Sequence, residues 1–131
     1  MGAFDVETNI INSIKDAKSL ELFNIIGGSE RHSSELDLAH KGYYRRLSRL
    51  IATGLVKRER GRYALTALGI IVYRGQLTIQ KAASVYWILK AIDTIESSGK
   101  IGEMEWVKLV KTIVDDQEIQ RVILNTNKLN K

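Results

Sequence analysis

Lys41, Arg45 and Arg49 recur at every fourth position. On a helix that spacing stacks three side chains along one line, a turn apart. Arginine presents a planar fork of N–H donors that takes guanine O6 and N7 together or grips a phosphate. A second basic group, Lys57, Arg58, Arg60 and Arg62, follows closely. With Arg46 added, the stretch from Lys41 to Arg62 holds eight basic residues against Glu59 alone, a local balance of +7 in a chain whose total is +5. The remainder is slightly acidic, so the positive charge is a patch. Such a patch is the electrostatic footprint of a polyanionic partner. A solvated helix face beside a charged turn is the other reading that charge alone allows.

Other chemistries find few residues to work with. Cysteine is absent, which removes disulfides, thiolate metal sites and thiol nucleophiles. His32 and His40 are the two histidines, and no carboxylate spacing makes them a metal site. There is no phosphate-binding glycine loop and no nucleophile–base pair. The expectation is a protein that is not an enzyme and carries no cofactor or metal. With 44% hydrophobic and 27% charged residues over 131 positions, the composition is that of an ordinary globular chain. No apolar run reaches the roughly 20 residues of a membrane span, and no signal peptide is visible, so the expected location is cytoplasmic and no membrane partner is expected.

The basic residues must be positioned by recognisable elements. Residues 7 to 26 read as helical, with Ile10, Ile14, Leu20, Leu22, Phe23 and Ile26 as apolar positions; a break near Asp16 would make two helices, and one bent helix fits as well. Gly27-Gly28 ends the region. Ser33 and Ser34 resemble N-caps of a short helix over residues 35 to 39. A longer helix spans residues 41 to 53, with Gly54 placed for a left-handed C-cap. Residues 55 to 58 and 62 to 65 then change to strand character, joined by a turn at Glu59, Arg60 and Gly61. Thr66 caps a further helix.

On the 41–53 helix, at about 100° per residue with Leu47 facing the core, Tyr43, Leu50 and Ile51 lie within about 60° of it. Arg45 and Arg49 point the opposite way. Lys41, Gly42 and Ser48 flank them, and Tyr44 and Arg46 take the shoulders. Arg45 is expected to be the main base reader, with Arg49 second or on a phosphate. Tyr44 and His40 are candidate phosphate contacts, with a solvent role the alternative for His40. In the hairpin, Arg60 at the tip suits a minor-groove or phosphate contact, with Lys57, Arg58 and Arg62 nearer its base. Contacts of this kind set position and affinity rather than sequence preference.

Helix, short helix, longer helix, charged hairpin and helix is the order of a winged helix-turn-helix. The segment from Ser33 to Tyr73 resembles archaeal winged-helix transcriptional regulators. The resemblance rests on Tyr43-Tyr44-Arg45-Arg46-Leu47-Ser48-Arg49-Leu50-Ile51, on Gly54-Leu55-Val56-Lys57-Arg58, and on Gly61-Arg62-Tyr63-Ala64-Leu65-Thr66 with Gly69. Leu89-Lys90-Ala91-Ile92-Asp93 is similar to the tail of one small archaeal group in that family. The resemblance covers about residues 7 to 124 and implies a regulator of transcription that binds double-stranded DNA. The expected fold is mainly α with a small β-hairpin, a winged helix-turn-helix with additional C-terminal helices. A DNA-binding domain would cover residues 1–76, a helical dimerisation segment 77–127 and a frayed tail 128–131, with fraying beginning near Asn125.

Residues 82 to 92 read as a helix apolar nearly all round, which one small core can hardly cover. A homodimer through Ala82, Val85, Tyr86, Trp87, Leu89 and Ile92 is therefore expected, burial within a monomer being the alternative. Gly99 to Gly102 form a loop. Residues 103 to 114 make an amphipathic helix with Met104, Trp106, Val107, Val110 and Ile113, and Asp115 with Glu118 resembles a capping box for a last helix bearing Ile119, Val122 and Ile123.

Two other functions use the same features. A winged helix that docks onto a protein in a transcription or chromatin assembly would turn the basic patch toward an acidic partner. An RNA-binding role is weaker, because A-form RNA hides its major groove and no run of exposed aromatics suggests base stacking.

Overall fold

The computed structural model describes residues 2–28, 31–32 and 43–129. It is mostly helical, with a small antiparallel sheet. Its elements are α1 (Ala3–Ile14), α2 (Ala17–Gly28), β1 (Arg31–His32), α3 (Tyr43–Thr53), β2 (Val56–Glu59), β3 (Arg62–Leu65), α4 (Ala67–Ser84), α5 (Tyr86–Ser97), α6 (Glu103–Ile113) and α7 (Gln117–Leu129). The chain divides into two compact units, residues 1–75 and 76–131, and α4 runs through the division. The expected short helix over 35 to 39, its Ser33 and Ser34 caps, and His40, Lys41 and Gly42 lie outside the described residues.

In the first unit the N-terminal region is two helices. Asp16 makes the break: its Oδ2 accepts the Ser19 amide at 3.2 Å and its carbonyl accepts the Leu20 amide at 3.0 Å. That is a helix N-cap, which satisfies donors left open in the first turn of α2. The core joins Leu22, Phe23 and Ile26 of α2 to Leu47 and Leu50 of α3 and to Leu55, Val56 and Tyr63 of the hairpin region. Burying each such side chain contributes about 1.5–3 kcal/mol. Phe23 meets the Tyr73 ring edge-on, centroids 6.0 Å apart, and a Cβ on Gly27 would stand 2.4 Å from that ring.

The end of α3 leads straight into the hairpin. Gly54 has φ 90°, its amide reaches the Ile51 carbonyl, and the Leu55 amide reaches the Leu50 carbonyl, each at 3.0 Å. This paired closure is a Schellman motif, and the buried Leu55 and Leu50 supply its apolar contact. β2 and β3 pair with Glu59 opposite Arg62, leaving a two-residue turn, Arg60 at φ 54° and Gly61 at φ 76°. Two positive φ values in succession mark a type I′ turn, whose twist matches that of the strands. β1 pairs with the outer side of β3, Arg31 opposite Tyr63, giving the order β1-β3-β2; the sequence pattern did not suggest this strand.

Thr66 closes the hairpin onto α4. Its amide reaches the Leu55 carbonyl at 3.0 Å, its Oγ1 donates to the Gly54 carbonyl, and the same oxygen accepts the Gly69 amide at 2.9 Å. Gly69 is required by contact rather than by φ: a Cβ there would lie 2.0 Å from the Leu55 carbonyl oxygen.

The second unit packs Ile92 of α5, Trp106 and Val110 of α6, Val114, and Ile119 of α7. The helix expected over residues 82 to 92 is interrupted. Ser84 turns its hydroxyl back to the Lys81 carbonyl at 2.7 Å, and Val85 leaves helical geometry at φ −115°, ψ 27°. Serine competing for backbone carbonyls is a common cause of bending. The apolar residues are thus shared between two helices. Gly99, at φ 68°, ends α5.

The last helix starts differently from expectation. Asp116, not Asp115, is its cap: Oδ1 accepts the Ile119 amide at 3.0 Å. Glu118 reaches away to α4 instead, accepting Thr78 Oγ1 at 2.7 Å and Lys81 Nζ at 3.2 Å, while Lys81 also meets Asp116 at 3.3 Å. Helix α7 continues to Leu129, past the expected fraying at Asn125. Among the described residues no helix is long and apolar enough to cross a membrane.

Candidate nucleic-acid interface

Helix α3 places the expected reading face, but turned. Leu50 and Leu47 are buried, and Tyr43, Arg46 and Thr53 are half-buried. On a 100° wheel this inward arc centres near Leu50 rather than Leu47. Ile51, expected in the core, is therefore 39% exposed, and Tyr44 is 61% exposed. The packing explains the turn: α1 and α2 both lie against α3 and cover its Arg46 and Thr53 side. The outward direction accordingly centres on Arg45 and Ser48, with Tyr44 on one flank and Arg49 on the other.

Arg46 is not on the open face. Its Nε lies 3.4 Å from Asp16 Oδ2. The Asp16 carboxyl is held below its ordinary pKa by the Ser19 hydrogen bonds first and by Arg46 in addition. Arg46 thus ties α3 to the joint between α1 and α2, a structural duty the sequence reading did not foresee.

The hairpin divides its cations in a similar way. Arg58 stands opposite Tyr63, its guanidinium carbon 5.7 Å from the ring centroid. Lys57 Nζ lies 3.7 Å from Glu59 Oε1 on the exposed strand face. Arg60 and Arg62 have no such neighbour among the described residues, nor have Arg45 and Arg49. Arg60 occupies the left-handed position of the turn, which costs a non-glycine residue about 1–2 kcal/mol. The strain sits at the tip, where the side chain is exposed.

The nominated residues therefore separate. Tyr44, Arg45, Ser48, Arg49, Arg60 and Arg62 are exposed. Lys57 and Arg58 are exposed as well, though each has a neighbour on the hairpin; Arg46 is half-buried against Asp16, and Lys41 lies outside the described residues. Arg49 also borders a feature that spacing could not show, an open cleft of ≈ 320 Å³ between α1 and α3 lined by Val6, Asn9, Asn12, Arg49, Ala52 and Thr53.

In the second unit the six residues nominated for dimerisation split too. Ile92 is buried in that unit's core, and Ala82 and Leu89 pack against it. Val85 is half-buried. Tyr86 and Trp87 face outward, rings edge-to-face at 5.1 Å, with Trp87 78% exposed and Lys90 over the Tyr86 ring.

No protein-family model, curated protein or solved structure matches the chain.

Proposed function

We propose that this protein is a sequence-specific, double-stranded DNA-binding transcriptional regulator built on a winged helix-turn-helix. In this reading α3 enters the major groove and the β2–β3 hairpin is the wing, resting on the backbone or in the minor groove. The observation that carries it is the selective freedom of the cations. Arg46 is half-buried against Asp16 and the exposed Lys57 and Arg58 each have a neighbour, whereas the exposed Arg45, Arg49, Arg60 and Arg62 have no ion-pair partner within 4 Å among the described residues. Exposed, unpaired guanidinium groups on a helix and on the hairpin that directly follows it form a double contact suited to a duplex: one set for base edges, one for phosphates.

Arg45 is the base reader in this reading, since it and Ser48 stand at the centre of the outward face. A good bidentate arginine–guanine pair supplies about 1–3 kcal/mol of discrimination. A homodimer through the second unit, with Tyr86 and Trp87 at its contact, would present two copies of α3 to half-sites about one DNA turn apart.

The test is selection of bound sequences from a random duplex pool, with the whole chain and with Arg45→Ala. The wild type is expected to enrich a motif and the variant to lose preference at one or two positions. Equal enrichment in both would remove Arg45 from the reading role. An affinity for random duplex that does not fall steeply with salt would remove the DNA reading itself.

A further inference from the structure

We infer that the cleft between α1 and α3 is a phosphate-binding site, with Arg49 as its cation and Asn9 and Asn12 as its neutral donors. The cleft, ≈ 320 Å³, lies wholly within the first unit and is lined by Val6, Asn9, Asn12, Arg49, Ala52 and Thr53. Asn9 and Asn12 are three residues apart on α1, hence on one face, and Arg49 meets them from α3. None of these three side chains has a hydrogen-bond or ion-pair partner among the described residues.

The donor set fits an oxyanion. The guanidinium supplies N–H donors and positive charge, each asparagine adds an NH₂ group when its amide turns that end inward, and no carboxylate lines the cleft. The Thr53 hydroxyl already donates to the Arg49 carbonyl at 2.8 Å, which leaves its oxygen as an acceptor for a hydroxyl or water on the ligand. Asp5, the nearest acidic residue along that face of α1, stays in the first turn, where its carboxylate lies close to Gly2. Val6 and Ala52 give the remaining wall an apolar surface, suited to the carbon substituent of a phosphate ester. The volume lies at the lower end of small-ligand pockets and exceeds that of a bare phosphate.

The rotation of α3 strengthens the assignment. Because the buried arc centres near Leu50, Arg49 stands on the α1 flank of the outward face rather than at its centre. Flanks of a helix lying in a major groove meet the sugar–phosphate backbone. The phosphate can thus belong to a duplex, or to a free phosphate ester that occupies Arg49 and so competes with DNA. The duplex source rests on the function proposed above; the site itself does not.

The experiment is side-chain amide and arginine Nε NMR on the full chain, titrated with inorganic phosphate at constant ionic strength held with chloride. Saturable shifts are expected at Asn9, Asn12 and Arg49, with Arg45 and Arg60 unmoved, and Arg49→Gln is expected to weaken the response at least tenfold. No saturable shift, equal movement of Arg45 and Arg60, or an undiminished response in Arg49→Gln would overturn the site. Asn9→Ala/Asn12→Ala then identifies the source. Loss of duplex affinity for all sequences in that variant, with the salt slope lower by about 1 in Arg49→Gln, assigns a backbone phosphate. Unchanged duplex affinity, with duplex binding to the wild type inhibited by added phosphate, assigns a free ester. Because the titration contains no DNA, absent duplex binding counts against the proposed function and not against the site.

Discussion

Arg46 Nε stands 3.4 Å from Asp16 Oδ2, joining α3 to the break between α1 and α2. Both side chains are partly exposed, so the pair is a modest fastener; Asp16 matters more as the cap of α2. Asp16→Ala is expected to lower the urea midpoint more than Asp16→Asn, which keeps an acceptor for the Ser19 amide. Arg46→Ala should alter duplex sequence preference less than Arg45→Ala. The folded-state pKa of Asp16 is depressed. Its stabilisation is therefore complete above the unfolded value, about pH 4, and fades as pH falls through the lower folded value. An Asp16→Asn variant whose acid unfolding follows the wild type would show that the carboxylate contributes nothing.

At the hairpin tip, stability and binding should move in opposite directions. Arg60 holds φ 54° before Gly61. Asparagine adopts this position of a type I′ turn more readily. Arg60→Asn is expected to stabilise the first unit by about 0.5–1 kcal/mol, measured by chemical unfolding. It should also weaken duplex binding and reduce the salt slope by about 1 if the side chain neutralises one phosphate. Unchanged duplex affinity would take the tip out of the interface.

The parts of this architecture governed by local rules were legible in the sequence. The period change at Leu55, the glycine after α3 and the Thr66 cap are each set by residues within one turn of the feature, and all three appear in the structure. The direction α3 faces is not a local property. Leu47, Leu50 and Ile51 all fit an apolar stripe, and only the positions of α1 and α2 decide that Ile51 is left out and Arg46 drawn in. Residues 82 to 92 differ from expectation for a related reason: an all-apolar run implies one helix needing cover on every side, but Ser84 and Val85 divide it, with Ala82 on one side of the break and Ile88, Leu89 and Ile92 on the other all packed in the second unit's core. The cleft beside Arg49 needs Asn9 and Asn12, about 40 residues upstream, and no periodicity connects them.

Two glycines make a comparative prediction. A Cβ at Gly69 would meet a backbone carbonyl at 2.0 Å, that of Leu55, which is fixed by the Thr66 amide. A Cβ at Gly27 would meet the Tyr73 ring at 2.4 Å, and a side chain can swing aside. Gly69→Ala is expected to destabilise by about 2 kcal/mol or more, and Gly27→Ala by less, because alanine also recovers up to about 1 kcal/mol of helix propensity. The reverse order in urea unfolding would mean that the α4 start can move and the Tyr73 ring cannot.

In the second unit Asp116, and not its neighbour, should control the start of α7. Asp115→Ala is expected to change stability by no more than about 0.5 kcal/mol, as for an ordinary surface site. Asp116→Ala removes both the cap on Ile119 and a partner of Lys81, and should lower the thermal midpoint clearly. The Asp116 pKa is lowered, chiefly by the Ile119 amide; the Lys81 pKa is raised, chiefly by Glu118. Asp116 therefore stabilises above its unfolded pKa and loses effect as pH falls through the folded value. Lys81 stabilises below its unfolded pKa and loses effect as pH rises through its folded value. Their contribution is a plateau across neutral pH, and Asp116→Ala should lower that plateau and make the fall on its acid side shallower.

The two tryptophans provide a built-in test of self-association. Trp106 is 5% exposed in the second unit's core, whereas Trp87 is 78% exposed and stacked edge-on against Tyr86. A soluble quencher such as iodide should reach Trp87 and not Trp106. The variant Trp106→Phe isolates the Trp87 signal, and Trp87→Phe isolates the other. If Tyr86 and Trp87 form the dimer contact, Trp87 quenching should be suppressed at high protein concentration and recover on dilution, with a blue-shifted emission that returns to the red. Trp87→Ala should then move the species seen by light scattering toward the monomer while leaving the unit folded, because the side chain lies outside its core. Full quenching of Trp87 at every concentration, together with a dimer by light scattering, would place the contact elsewhere on the chain.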